Sequence, residues 1–118
     1  MNIEEVREYC LKKKAVTEEF PFDEETLVFK VMGKMFLLVP LEKVPLQINL
    51  KCDPEKAIEL REQFQSVQPG YHMNKKHWNT VIIDGSIPKE ELFEWIDNSY
   101  KLVVRGLKKS DIQKLIDQ

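Results

Sequence analysis

Apolar positions change their period along the chain, from helical spacing to alternation and back, and each change marks an element. Ile3, Val6, Cys10 and Leu11 recur at near-helical intervals, so residues 3–14 are expected to form a helix with one apolar stripe. Lys12, Lys13 and Lys14 then fall at its C-terminal end, where cations complement the helix dipole. A polar loop carrying Glu18, Glu19, Pro21, Phe22, Asp23, Glu24 and Glu25 follows. Residues 26–31 alternate, and Met32-Gly33 offers a two-residue turn into residues 34–39, a hairpin signal. After Pro45, Leu46, Ile48, Leu50 and Cys52 point to one face of a third strand while Gln47, Asn49 and Lys51 point to the other.

Helical signals return at Asp53-Pro54-Glu55, where Asp can cap free amides and Pro suits the first helical position. That helix is expected to run to Phe64, burying Ala57, Leu60 and Phe64. Residues 78–84 read as a strand ended by Asp84-Gly85, with one further strand left open in this region. Pro88 opens a long helix in which Leu92, Trp95, Ile96, Ser99 and Val103 trace an apolar face, and Ser110 with Gln113 has the spacing of a capping box for a last short helix. The order of elements and the short hairpin links give an α+β fold, an antiparallel sheet with helices packed on one face.

At 118 residues the chain is one domain by length, large enough for a single core, and no repeat or linker divides it. The N-terminus lacks the basic start and apolar run of a signal peptide, and no segment approaches the roughly 18 apolar residues of a membrane span. Cys10 and Cys52 lie far apart on apolar faces, which reads as reduced, buried thiols in a cytoplasmic protein. Eighteen Lys and Arg against 20 Asp and Glu leave a net charge of −2, so there is no general attraction to nucleic acid. The distribution is uneven, with acids between Glu18 and Glu25 and bases at Lys101, Arg105, Lys108 and Lys109.

The densest polar chemistry lies in Pro69-Gly70-Tyr71-His72-Met73-Asn74-Lys75-Lys76-His77-Trp78-Asn79, which holds both histidines and two adjacent lysines. Pro-Gly marks a turn, so the block is expected at a turn and the mouth of the following strand. Lys75 and Lys76 suit phosphates, Asn74 and Asn79 can hydrogen-bond a backbone or a base edge, and Tyr71 or Trp78 can stack on an unpaired base, with His72 and His77 beside them. Lys30 and Lys34 flank the Met32-Gly33 turn and add charge from a hairpin tip. The plainer reading packs Tyr71 and Trp78 into the core edge, leaves the histidines bonded to backbone and the lysines solvated. A metal site is not expected, because His72 and His77 match no zinc-knuckle spacing and a cysteine would have to converge on them from elsewhere. No cofactor is expected either. There is no Gly-rich phosphate loop, nucleophile elbow or paired acidic motif, so the chain does not read as an enzyme.

Pro21-Phe22-Asp23, the strand pair from Phe29 to Phe36, Leu50-Lys51-Cys52 before Asp53-Pro54-Glu55, the block from Pro69 to Asn79 and Ser99-Tyr100 occur together and in order. In these the chain resembles the MmcQ/YjbR-like family of small bacterial proteins. The resemblance implies a frataxin-like (CyaY-like) sandwich with an antiparallel sheet, and it implies DNA binding, a label attached to the family for its projecting hairpin wings. One founding member is associated by name with mitomycin resistance. Residues and resemblance together lead to a monomeric, non-catalytic DNA-binding protein whose contacts are Lys30, Lys34, Tyr71, His72, Asn74, Lys75, Lys76, His77 and Trp78. The alternative is a protein-interaction module using the same loop.

Overall fold

A computed structural model describes residues 1–70 and 73–118. Four helices and six strands are found among them, α1 (Ile3–Leu11), β1 (Val16–Glu19), β2 (Thr26–Val31), β3 (Lys34–Pro40), β4 (Gln47–Lys51), α2 (Pro54–Gln63), β5 (Val67–Pro69), β6 (Trp78–Ile82), α3 (Lys89–Arg105) and α4 (Lys109–Ile116). The strands form one sheet in the order β1-β2-β3-β4-β6-β5, and every pairing is antiparallel. The fold is thus α+β, as the pattern of periods predicts. Among the described residues no helix is long and apolar enough to cross a membrane.

Helices α1, α2 and α3 share one side of the sheet. α3 lies over β3 and β4, α2 over β5 and β6, and α1 against β1. Leu92, Trp95, Ile96, Ser99 and Val103 are the buried face of α3, the set that its helical period marks. They meet Leu27, Phe29 and Val31 of β2, Phe36, Leu37 and Val39 of β3, and Ile48 and Leu50 of β4, with Leu46 packed at the margin. Asp53 caps α2 through Glu55 N and Lys56 N, and Pro54 takes its first turn.

Two elements differ from expectation because long-range contacts override local pattern. α1 ends at Leu11, three residues early, and the lysines leave the helix axis. The Lys13 ammonium bonds Asp97 and lies 4.7 Å from the Tyr9 ring centroid, while Tyr100 Oη donates to the Lys14 carbonyl at 2.8 Å. Ala15 completes the turn at φ 59°, the left-handed region that ends a regular helix. The second difference is β1. Glu18 and Glu19, expected in a loop, belong to this edge strand, with Glu18 bonded by Arg7 of α1 and Glu19 paired with Lys30 of β2 at 3.3 Å.

Smaller corrections concern ends. Val67–Pro69 is the further strand of this region, so Pro69 closes a strand rather than opening a turn. α4 starts at Lys109 with Lys108 as its cap, which leaves Ser110 inside the first turn instead of capping it. Met32 and Gly33 take φ 49° and 81°, the two left-handed positions of a tight hairpin turn.

β3 carries an irregularity. Phe29 pairs with Leu37 but Lys30 pairs with Met35, so Phe36 is the extra residue of a bulge. β3 meets β4 at Leu37–Leu50 and Leu38–Asn49, and one step along the ladder gives way to the fully buried Ser99. Its hydroxyl donates to the Phe36 carbonyl at 2.5 Å and accepts from the Lys51 amide at 2.9 Å. Ser99→Ala should therefore strand a buried carbonyl and a part-buried amide, at about 1–3 kcal/mol for each group that water cannot reach. Urea denaturation should show a lower midpoint at unchanged m-value; a midpoint equal to that of the parent would remove this role.

Candidate functional site

Because side chains alternate across a strand, the helix-covered face of the sheet defines the other one by parity. Val28 of β2, Leu38 of β3 and Trp78 of β6 form a second apolar cluster there, flanked by Met35 and Met73. Beside it the face turns polar. Gln47, Asn49, Gln68 and Thr80, with Asp23 and Lys43, line a groove of about 510 Å³, and Thr80 Oγ1 donates to Asn49 Oδ1 at 2.6 Å. No helix lies over this open face among the described residues.

The loop block meets the sheet at the Trp78 end. Asn74 Oδ1 accepts from the Lys76 amide at 2.9 Å, and the Asn74 carbonyl accepts from His77 and Trp78 at 3.1 and 2.9 Å. Asn74 is thereby the side-chain cap of its own turn. The His77 carbonyl takes the Cys52 amide at 2.7 Å, which extends the β4–β6 ladder. Arg61 of α2 completes the frame. Its Nε donates to Asn79 Oδ1 at 2.6 Å, and its Nη2 donates to the carbonyls of Lys75 and, at 3.4 Å, Trp78. Asn79 Nδ2 donates to the Ala57 carbonyl at 3.3 Å, so Asn79 is buried on the helix side.

Of the residues singled out by sequence, Lys34, Asn74, Lys75 and Lys76 are exposed, and Lys30 and His77 are half-buried. Trp78 is only 8 % exposed and packs on the sheet, so its ring is placed for packing rather than for stacking a base. Tyr71 and His72 lie outside the described residues. Lys30 is already paired with Glu19. Lys101 and Arg105 sit on α3, across the sheet from the loop, so that basic run does not join Lys75 and Lys76. Sequence reasoning passed over Lys51, directly opposite Trp78 in the ladder, and Arg61, whose place on a helix gave no periodic signal.

Burial pushes both thiols up, Cys10 to about 12 and Cys52 in the same direction. That is the reverse of the shift an attacking thiolate needs. Both are unbridged, and among the described residues no group of three His, Cys, Asp or Glu is arranged to hold a metal ion.

The family model for YjbR matches residues 11–102, which carry the sheet, the loop and most of α3. The chain belongs to the YjbR family. It is 44 % identical over 97 residues to YbdF of Escherichia coli O157:H7, covering 81 % of this chain and 79 % of that one. YjbR of Escherichia coli strain K12 is 35 % identical over 107 residues, 91 % of either chain. Among solved structures, Deinococcus radiodurans protein DR2400 aligns with a TM-score of 0.90 and 44 % identity over 97 % of this chain and 87 % of its own. A Pseudomonas syringae protein aligns with a TM-score of 0.74 and 30 % identity over 86 % of this chain and 98 % of its own.

Two substitutions probe how this YjbR-family loop is held. Trp78→Ala empties a covered site and should cost roughly 3–5 kcal/mol, whereas an exposed platform would lose far less. Gly70 lies against Trp78, where an added Cβ would stand 2.9 Å from Trp78 Cβ and 3.0 Å from its carbonyl oxygen. Gly70→Ala should then cost about 1–3 kcal/mol, the range for overpacking. Thermal melts of both variants check this, and wild-type stability in either would show that the loop does not rest on the sheet as described.

Proposed function

We propose that this protein is a non-catalytic binding protein that takes nucleic-acid phosphates on the lysine-bearing end of its open sheet face. One observation carries the reading: lysines from separate elements lie at one end of the sheet, and one of them, Lys51, shares the bare face with its ladder partner Trp78. Lys34 stands at the hairpin tip opposite the helix-side Val31, Lys51 lies opposite Trp78, and Lys75 and Lys76 belong to the turn that Asn74 and Arg61 hold. β2, β3, β4 and β6 span three inter-strand spacings, about 14 Å, so these cations fall within reach of successive phosphates on one strand.

The contacts are to phosphate rather than to base. Trp78 is covered, Asn79 is turned into the helix side and the Asn74 carboxamide oxygen caps a turn, so the side chains that would read or stack bases are engaged in the fold. The same facts weaken the rival reading of a protein interface built on this loop's aromatic residues. The absence of thiolate activation at Cys52 supports a role without catalysis. A six-stranded antiparallel sheet with helices on one side also supports the finer assignment to a frataxin-like sandwich, and the buried thiol of Cys10 suits a cytoplasmic location.

Fluorescence titration with duplex and single-stranded oligonucleotides at several salt concentrations tests the reading. Wild-type protein should bind with little sequence preference. Lys34→Ala with Lys76→Ala should weaken binding evenly across sequences, flattening the slope of log affinity against log salt by about 0.9 per lost duplex contact or about 0.7 for a single strand. Stability should change by no more than about 0.5 kcal/mol, as for other surface substitutions. Failure to bind either form at low salt, or an unchanged slope in the double variant, would reject the proposal.

A further inference from the structure

The end of the molecule away from the lysines has a different chemistry. β1 has a strand neighbour on one side only, so the backbone groups along its outer edge are unpaired in the sheet. The chain leaves this edge through Phe20 and Phe22, which are 48 % and 63 % exposed, and Leu41 beside them is 39 % exposed. Phe20, Leu41, Leu27 and Ile3, with Arg7 and Glu18, line a groove of about 450 Å³. Exposed aromatic rings next to an open strand edge are the features that accept an added strand whose side chains anchor in a pocket.

Charge identifies the occupant. The acids of β1 itself are neutralised, Glu18 by Arg7 and Glu19 by Lys30. The acids next to the groove-lining Leu41 have no ion-pair partner among the described residues. Glu25 and Glu42 are exposed, and the Leu41 amide donates to the Glu25 carbonyl at 2.8 Å, which sets Glu42 beside Glu25. The Glu25 carboxyl is held above the ordinary carboxylate range by its hydrogen bond to Glu42, by Glu42's charge and by burial, with Asp23 adding to it. Two carboxyls crowded at the lip of an apolar groove, with Lys43 the nearby base in sequence, are relieved by an incoming cation. A second copy meeting this face about an axis through Glu25 and Glu42 would bring the same acids against themselves.

We propose that this groove docks an extended, cationic segment of a partner protein, which adds to the edge of β1, places apolar side chains against Phe20, Phe22 and Leu41, and sets lysine or arginine against Glu25 and Glu42. The site is separate from the lysine-bearing end, so either can fail without the other.

The test uses the full isotope-labelled chain and short capped peptides alternating lysine with valine, glutamate with valine, and lysine with threonine. The lysine–valine peptide should shift amide resonances of Val16–Glu19, Phe20, Leu27 and Leu41, and the other two should bind at least about tenfold more weakly, a difference of about 1.4 kcal/mol. Phe20→Ser with Phe22→Ser should weaken the lysine–valine peptide by a similar factor, and Glu25→Lys with Glu42→Lys should abolish its binding while leaving the apolar groove in place. Circular dichroism on each variant confirms the fold. Equal binding of the glutamate peptide, shifts at Lys34 and Lys76 instead, or no shift along β1 would overturn the proposal. So would sedimentation showing a dimer that Phe20→Ser with Phe22→Ser dissolves, because the face would then belong to a second copy.

Discussion

A sheet of six strands with helices on one side must fasten its longest helix where the strands are least regular, and here one hydroxyl does so. The bulge at Phe36 removes β3 from register just where its ladder with β4 would continue. Ser99, fully buried in the middle of α3, supplies the missing donor and acceptor to Phe36 and Lys51. A buried hydroxyl is costly unless both of its roles are used, so the position ties the rotation of α3 to the irregularity of β3. The aromatic edge contact between Phe36 and Tyr100, centroids 5.4 Å apart, adds a second constraint one residue along. With α3 fixed over β3 and β4, α2 closes the core over β5 and β6, and the opposite face of the sheet is left bare.

That bare face is divided along the strands rather than across them. At the hairpin end, Trp78, Val28, Leu38 and the two methionines make a small apolar cluster, with Lys51 opposite Trp78. Toward the other end the surface becomes a polar groove with amide and hydroxyl groups, Asp23 among its lining, and the Glu25–Glu42 pair stands beside Leu41 at that end of the molecule. The whole-chain charge of −2 conceals this separation. Nearby charge acts over about 8–10 Å at ordinary salt, so each end presents its own potential to a partner.

Elements with a sustained period were legible from the sequence. The alternation of β2 and β4, the hairpin turn into β3, the Asp53-Pro54 start of α2 and the apolar face of α3, Ser99 included, stand where the residues put them. Elements held mainly from a distance were not. β1 offers one apolar residue in Val16-Thr17-Glu18-Glu19, and its pairing draws on Arg7 and Lys30, which no local window contains. β5 is three residues long and closes on a proline, too short for any period. The three lysines after α1 have good helical propensity, yet Asp97 and Tyr100, more than eighty residues away, draw that segment off the helix. The loop block was located by its composition, but its inward and outward residues were not separated, because what turns Asn79 inward is Arg61 on another element.

The density of polar residues in that block has a structural cause with a functional consequence. Asn74 takes the Lys76 amide, Arg61 takes the Lys75 carbonyl, and Gly70 lets the chain pass against Trp78 at backbone distance. Side chains that resemble ligand contacts in the sequence are therefore the scaffold of two lysines. A turn already ordered in this way gives up little further backbone freedom when it meets a ligand, whereas a free loop would lose about 1–2 kcal/mol for each residue fixed. Under the proposed reading, phosphate contacts at surface lysines are individually weak, and that saving would let a few of them add up to an affinity a titration can read. The same ordering bears on discrimination: under the proposed reading, a turn held by Asn74 and Arg61, with its aromatic ring turned into the sheet, would respond to the charge and spacing of a strand more than to its sequence.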